Sequence, residues 1–224
     1  MRNRSKGLLL LLCLVLLVTA AITVTLAFLT DRESVKNSFT VGNVQIDLDE
    51  SVVDPDGDPV VDENGDPVRE EEGNEYHLVP GKTYLKDPMV TVKAGSERCY
   101  VRMMVTLNCM DEIREIFGDG FLPENYVQGW DPQKWVCVGV SENGNNTATY
   151  EFRYYTTVDA SDSTDNIPLE PLFTHFSVPA ELTGDQLLTI ADFEILVVGH
   201  AIQMESFDSE DAAWTAFDFQ YKDN

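Results

Sequence analysis

Runs of strand-forming residues, cut at short spacing by turn signals, constrain this chain most. Tyr100–Asn108 is rich in β-branched and aromatic residues, which favour a pleated, half-buried surface. Trp135–Val140 and Thr147–Thr157 flank Glu142-Asn-Gly-Asn-Asn146, and the three segments together predict a hairpin. In the second arm Tyr150, Phe152 and Tyr154 share one face. Val41 to Leu48 alternates, with Val44, Ile46 and Leu48 opposite Asn43, Gln45 and Asp47, as a half-buried strand does. Tyr84–Val92 and Leu172–Val178 add two more. Leu187–Ala201 reads as a central strand buried on both faces. Helical spacing occurs in Asp111–Phe117, where Ile113, Ile116 and Phe117 share a face and Gly118 stops the turn. It recurs in Ser209–Phe217, capped by Asp208 or Ser209, with Glu210 and Asp211 at the positive end and Ala213, Trp214 and Phe217 as the apolar stripe. About eight or nine strands separated by short turns predict a mainly-β chain. The expected architecture is a jelly-roll-like antiparallel β-sandwich with two or three short helices.

The first residues follow a different pattern. Met1-Arg-Asn-Arg-Ser-Lys6 carries three positive charges and no acid, and an apolar run follows from Gly7. A basic end, an apolar core and then small residues make an export signal. Thr25 and Ala27 are small and lie three positions and one position before Phe28, which suits cleavage between Ala27 and Phe28. The rival expectation is a retained anchor, since Gly7–Leu29 is 23 residues and long enough to span a bilayer. Cys13 follows Leu12, which is not the small residue a lipoprotein signal needs, and reads as one more apolar residue. The division expected is a signal peptide over 1–27, an N-terminal segment over 28–40 that can act as a donor strand, and a sandwich domain over 41–224.

Leu26-Ala-Phe-Leu-Thr-Asp31, followed by Asn37-Ser-Phe-Thr-Val-Gly-Asn-Val-Gln-Ile-Asp-Leu48, resembles the start of TasA/camelysin-like proteins. The family pattern there is an aromatic pair and an acid, a polar spacer, then Phe-Thr-Ala-Gly-x-Leu-Asp-Leu; Val41 stands where the family usually has alanine. Val79-Pro-Gly-Lys-Thr83 leading to Cys99-Tyr-Val-Arg-Met103, and Phe193–Gln203 followed by Ala212-Ala-Trp214, are also similar to the family. The resemblance covers both ends and one middle segment. It implies a secreted bacterial matrix protein whose signal peptide is cut by a dedicated signal peptidase, and a matrix fibre as the assembled form.

Charge excludes some partners. The segment up to Ala27 holds three of the 15 basic residues and none of the 39 acidic ones, so what remains is strongly anionic. Such a surface repels nucleic acid and anionic membrane, leaving the uncleaved signal as the only expected membrane contact. The acidity is concentrated: residues 47–75 hold 13 acids against one base, Arg69. Inside that stretch Asp54-Pro-Asp-Gly-Asp-Pro-Val-Val is followed by Asp62-Glu-Asn-Gly-Asp-Pro-Val-Arg, an eight-residue repeat in which Asp-Gly and Asn-Gly signal turns. Asp54, Asp56 and Asp58, at alternate positions before a turn, resemble the opening of a calcium loop. However, Gly57 falls at the fourth place rather than the sixth, and the distal bidentate glutamate is missing. The bland expectation is a solvated acidic hairpin inserted over about 49–76, with no cofactor.

Three cysteines follow the signal: Cys99, Cys109 and Cys137. An extended run holds Cys99 and Cys109 about 33 Å apart, beyond disulfide reach. Either could pair with Cys137 across a sheet; the simpler expectation is three small buried apolar residues. His77, His175 and His200 show no His-Glu-x-x-His and no second histidine at helical spacing, and His200 reads as a packed strand residue. Camelysin-like proteins have been labelled metallopeptidases, yet these residues build no zinc site, and no nucleophile elbow or phosphate loop occurs. The expectation is therefore a non-enzymatic structural protein of the extracellular (biofilm) matrix or bacterial cell surface. It self-associates into fibres by strand donation through Phe28, Leu29, Val35 and Phe39. The alternatives are a monomeric calcium-binding adhesion module and a secreted metallopeptidase.

Overall fold

The computed structural model describes residues 39–41 and 43–221, so the export signal, its cleavage point and Phe28, Leu29 and Val35 lie outside the described residues. The body is mainly β, with antiparallel pairing throughout except at one edge. The largest sheet has five strands in the order β1 (Phe39–Val41), β12 (Ile195–Gln203), β6 (Cys99–Leu107), β9 (Thr147–Tyr154), β8 (Trp135–Asn143). A second sheet has the order β10 (Ile167–Pro168), β5 (Met89–Val92), β2 (Ile46–Ser51), β3 (Arg69–Glu70). A small third sheet has β4 (Thr83–Leu85), β11 (His175–Ser177) and β7 (Val127–Gln128).

The first two sheets face one another. A Cβ placed on Gly199 of β12 would meet Val90 Cγ2 at 3.2 Å and Ile46 Cδ1 at 3.5 Å, so the glycine lets the sheets approach closely. Val44, Ile46, Val90 and Val92 from one side and Val101, Met103, Val105 and Ala201 from the other form one core, which also includes Trp135 and Leu172. Burying such side chains contributes about 1.5–3 kcal/mol each before chain entropy is counted. A satellite core of Tyr84, Phe176, Val178 and Leu182 lies around the third sheet, where the Tyr84 and Phe176 rings stack at 5.2 Å.

Among the described residues there are three α-helices: α1 (Met110–Phe117), α2 (Gly184–Thr189) and α3 (Glu210–Tyr221). α1 ends as expected, with Gly118 at φ 84° and its N–H donating to Arg114 O. Ser209 Oγ accepts from Ala212 N at 3.2 Å and caps α3, which places Ala213, Trp214 and Phe217 against Ile202. Among the described residues no helix is long and apolar enough to cross a membrane.

Four expectations are corrected. Val41–Leu48 is not one strand: β1 and β2 lie in different sheets, parted around Asn43. Tyr84–Val92 also divides, because Lys86, Asp87 and Pro88 turn the chain from the third sheet into the second. Leu187–Ala201 is not strand throughout. α2, with a capping box between Thr183 and Gln186, occupies its start, and β12 begins only at Ile195 with Leu196 exposed. The three cysteines among the described residues are free, but only Cys99 is buried; Cys109 is half-buried and Cys137 exposed.

Candidate functional site: a free sheet edge and a buried polar network

β8 is the outermost strand on one side of the five-stranded sheet. Its first residue anchors it: Trp135 is fully buried, and its Nε1–H donates to Glu170 O at 2.8 Å. Glu170 also accepts from Tyr154 Oη and pairs with Lys134 Nζ at 2.9 Å. The Tyr154 and Lys134 hydrogen bonds hold its carboxyl down at about 2. At the other end Asn146 takes φ 62°, a left-handed turn that asparagine tolerates, and its side chain binds α1 through Asp111 N at 2.7 Å and Glu112 Oε2 at 2.8 Å. Between these anchors the strand is open. Val136, Val138 and Val140 are 40%, 46% and 52% exposed, and every residue after Trp135 faces solvent. A bulge between Cys137 and Gly139 is the only irregularity in its pairing with β9.

The opposite edge of the sheet is β1, a strand of three residues. β1 runs parallel to β12, with Phe39 opposite His200, Thr40 opposite Ala201 and Val41 opposite Ile202. Phe39, expected in the assembly segment, is thus engaged within its own chain.

The acidic insertion leaves the second sheet after β2 and returns at β3. Its two turns are tied by isolated bridges, Val53 to Pro59 and Val61 to Pro67, rather than by full strands. Asp54 Oδ1 accepts from the N–H groups of both Asp56 and Asp58 at 3.0 Å. Asp62 Oδ1 does the same for Asn64 at 2.8 Å and Asp66 at 3.0 Å, and these backbone bonds lower its carboxyl below the usual range. Asp56 reaches Lys82 at 3.7 Å. The Asp54 and Asp62 carboxylates serve as turn acceptors, and among the described residues no group of three or more His, Cys, Asp or Glu is gathered as a metal site. Gly57, at φ 80°, packs on Tyr84, where a Cβ would stand 2.4 Å from Cδ1.

A dense polar network roots the insertion. Arg69 donates to Asp49 Oδ1 at 2.7 Å, Asp87 Oδ2 at 2.6 Å and Ser51 Oγ at 3.1 Å. Asp87 also accepts from Ser51 N at 2.7 Å and from Ser51 Oγ at 2.9 Å. Beside it, Lys86 Nζ donates to Glu50 Oε2 at 2.7 Å, with both side chains under a tenth exposed. Asn74 donates to the other oxygen, Glu50 Oε1, from Nδ2 at 2.9 Å and from its backbone N at 3.1 Å. Burial and then the Glu50 carboxylate push the neighbouring Tyr76 hydroxyl well above its ordinary value. Sequence reasoning missed these residues. The one available signal was a lysine and an aspartate set inside an otherwise strand-like run before Pro88.

The histidines do not converge. His175 contacts Thr174 at 3.0 Å, and the His77 backbone carbonyl accepts from Tyr84 Oη at 2.5 Å. His200 accepts from Arg102 Nε at 3.2 Å; burial, then the Arg102 charge, lower its ring to about 4. Arg102 is itself buried, bound to Asp218, 3.5 Å from Glu151 and stacked 4.4 Å from the Trp214 ring. Burial pushes the Cys99 thiol up to about 12, away from thiolate chemistry. An apolar cavity of about 140 Å³ lies among Leu78, Phe117, Phe121, Tyr126, Trp130 and Phe152.

These features define a class, an antiparallel β-sandwich whose buried polar groups are bonded to one another and whose one long outer strand is uncovered among the described residues. No family model, curated protein or solved structure matches this chain.

Proposed function

We propose that this chain is a secreted, non-enzymatic structural protein of the extracellular matrix or cell surface, of the TasA/camelysin kind, with jelly-roll connectivity. Cleavage between Ala27 and Phe28 frees the arm Phe28–Asn37, which pairs with an edge strand of the next copy. The observation that carries this reading is the outer side of β8, nine residues long, bordered by exposed valines and, among the described residues, without a neighbouring strand. An unpaired row of N–H and C=O groups is a template for an added strand. β1 supports the direction of the exchange, because Phe39 pairs within its own chain at the edge of the sheet opposite β8. The contact is head-to-tail, so it repeats into a filament and does not close into a dimer.

The test compares chains that begin at Phe28 and at Ser38 by electron microscopy at equal concentration. Fibres are expected from the first and monomers from the second. Equal fibre formation by both chains overturns strand donation.

A further inference from the structure

Three groups of the polar network have the arrangement of a reaction centre. Lys86 carries a primary amine, Asn74 a carboxamide, and the Glu50 carboxylate touches both, Nζ through Oε2 at 2.7 Å and Nδ2 through Oε1 at 2.9 Å. The Asn74 carbonyl oxygen accepts from Val53 N–H at 2.9 Å, a fixed donor aimed at the atom where negative charge would develop. Water is held off the Lys86–Glu50 pair, at 6% and 7% exposed, while Asn74 is half-buried. The Tyr76 ring lies 6.0 Å from Nζ, fixed by its hydroxyl bond to Leu85 O at 2.9 Å. The arrangement is over-built for a salt bridge, since a buried pair alone contributes little to stability. Ser51 O, accepting from Asn74 Nδ2 at 2.9 Å, holds the carboxamide in place.

We propose that Lys86 and Asn74 become joined by a side-chain amide bond, formed by the protein itself with Glu50 as proton relay. Glu50 takes a proton from the Lys86 ammonium, which leaves a lone pair on Nζ. Nζ attacks Cγ of Asn74, and the carbonyl π electrons move to Oδ1, stabilised by Val53 N–H. When the carbonyl re-forms, the Cγ–Nδ2 bond breaks. Glu50 passes its proton to Nδ2, and the second proton lost by Nζ follows the same route. Nitrogen leaves as ammonium, one amine and one carboxamide have become one amide, and no oxidant, metal or cofactor is consumed. Holding both nitrogens on one carboxylate supplies the proximity that makes such a slow acyl transfer feasible. The link ties the last part of the acidic insertion to the chain between β4 and β5.

Tryptic digestion of the full chain, followed by mass spectrometry, decides this. Trypsin cuts after Arg69, Lys82 and Lys93 but not after a lysine whose amine is acylated. The expected product is one branched peptide made of residues 70–82 and 83–93, one ammonia lighter than its parts. Glu50→Gln and Lys86→Arg should each yield the linear peptides at full mass, with circular dichroism reporting whether each variant folds. Wild-type protein that is cut after Lys86 and yields a linear 70–82 peptide overturns the proposal whatever the variants do. A branched peptide that persists in folded Glu50→Gln protein overturns the relay.

Discussion

Arg102 shows how one residue can hold two elements together. It sits on β6, fully buried, yet its guanidinium reaches Asp218 on α3 and His200 on β12 and lies over the Trp214 ring. A buried charge persists only where it is paired and hydrogen-bonded. Arg102→Ala removes the packing of the stem and the partner of two carboxylates. Asp218 is 59% exposed and can rehydrate, which softens the loss. The expected cost is about 2–3 kcal/mol, read as a lower urea midpoint at unchanged slope. His200 adds a pH dependence whose sign follows from its neighbours. Burial and Arg102 disfavour its protonated form, Asp218 opposes them, and its folded value is about 4 against 6.5 for the free ring. Between those values the unfolded chain binds the extra proton, so stability is full above about 6.5 and is lost as pH falls toward 4. Thermal midpoints between pH 7 and 4 should fall less in His200→Gln than in wild type. The histidine's place in a strand was legible in the sequence; its arginine partner on the adjacent strand was not, because that contact joins residues 98 positions apart.

At the scale of elements, strands with their own turn chemistry were the legible ones. The β8–β9 hairpin, α1 and α3 lie where alternation, asparagine-glycine and helical spacing placed them. These signals are local, so they survive in any tertiary setting. Segments that change sheet were misread. Tyr84–Val92 looks like one strand, and only the pairing of β4 with β11 and of β5 with β2 shows that it serves two sheets. The place of β8 at the edge of its sheet belongs here too, since period two identifies a strand but not its neighbours. If that edge takes an added strand, Val138→Lys should block fibre growth through charge repulsion and lost apolar contact. Because Val138 is 46% exposed, its thermal midpoint as a monomer should stay within about 1 °C of wild type. Light scattering and calorimetry read the two outcomes separately.

For the whole molecule, the excess of 39 acidic over 15 basic residues acts at long range. Many of the basic residues are committed to ion pairs, which leaves the exposed turns around Asp54–Asp66 largely anionic. Screening shortens that repulsion to about 8 Å at physiological ionic strength. The thermal midpoint should therefore rise by a few degrees between about 10 mM and 150 mM sodium chloride, and a flat response would show that the pairs already neutralise the field. The sequence by itself determined that this chain is mainly β, that its acids gather in one insertion, and that the helices of the described residues are short. Each of these follows from patterns within about a dozen residues, where side-chain spacing and backbone preference act directly. Only the tertiary structure decided that β1 pairs with β12 while β8 stands at the opposite edge, and that Glu50, Asn74 and Lys86 meet. Such placements depend on which strands pair and how two sheets close on a core, and that information resides in contacts between distant parts of the chain.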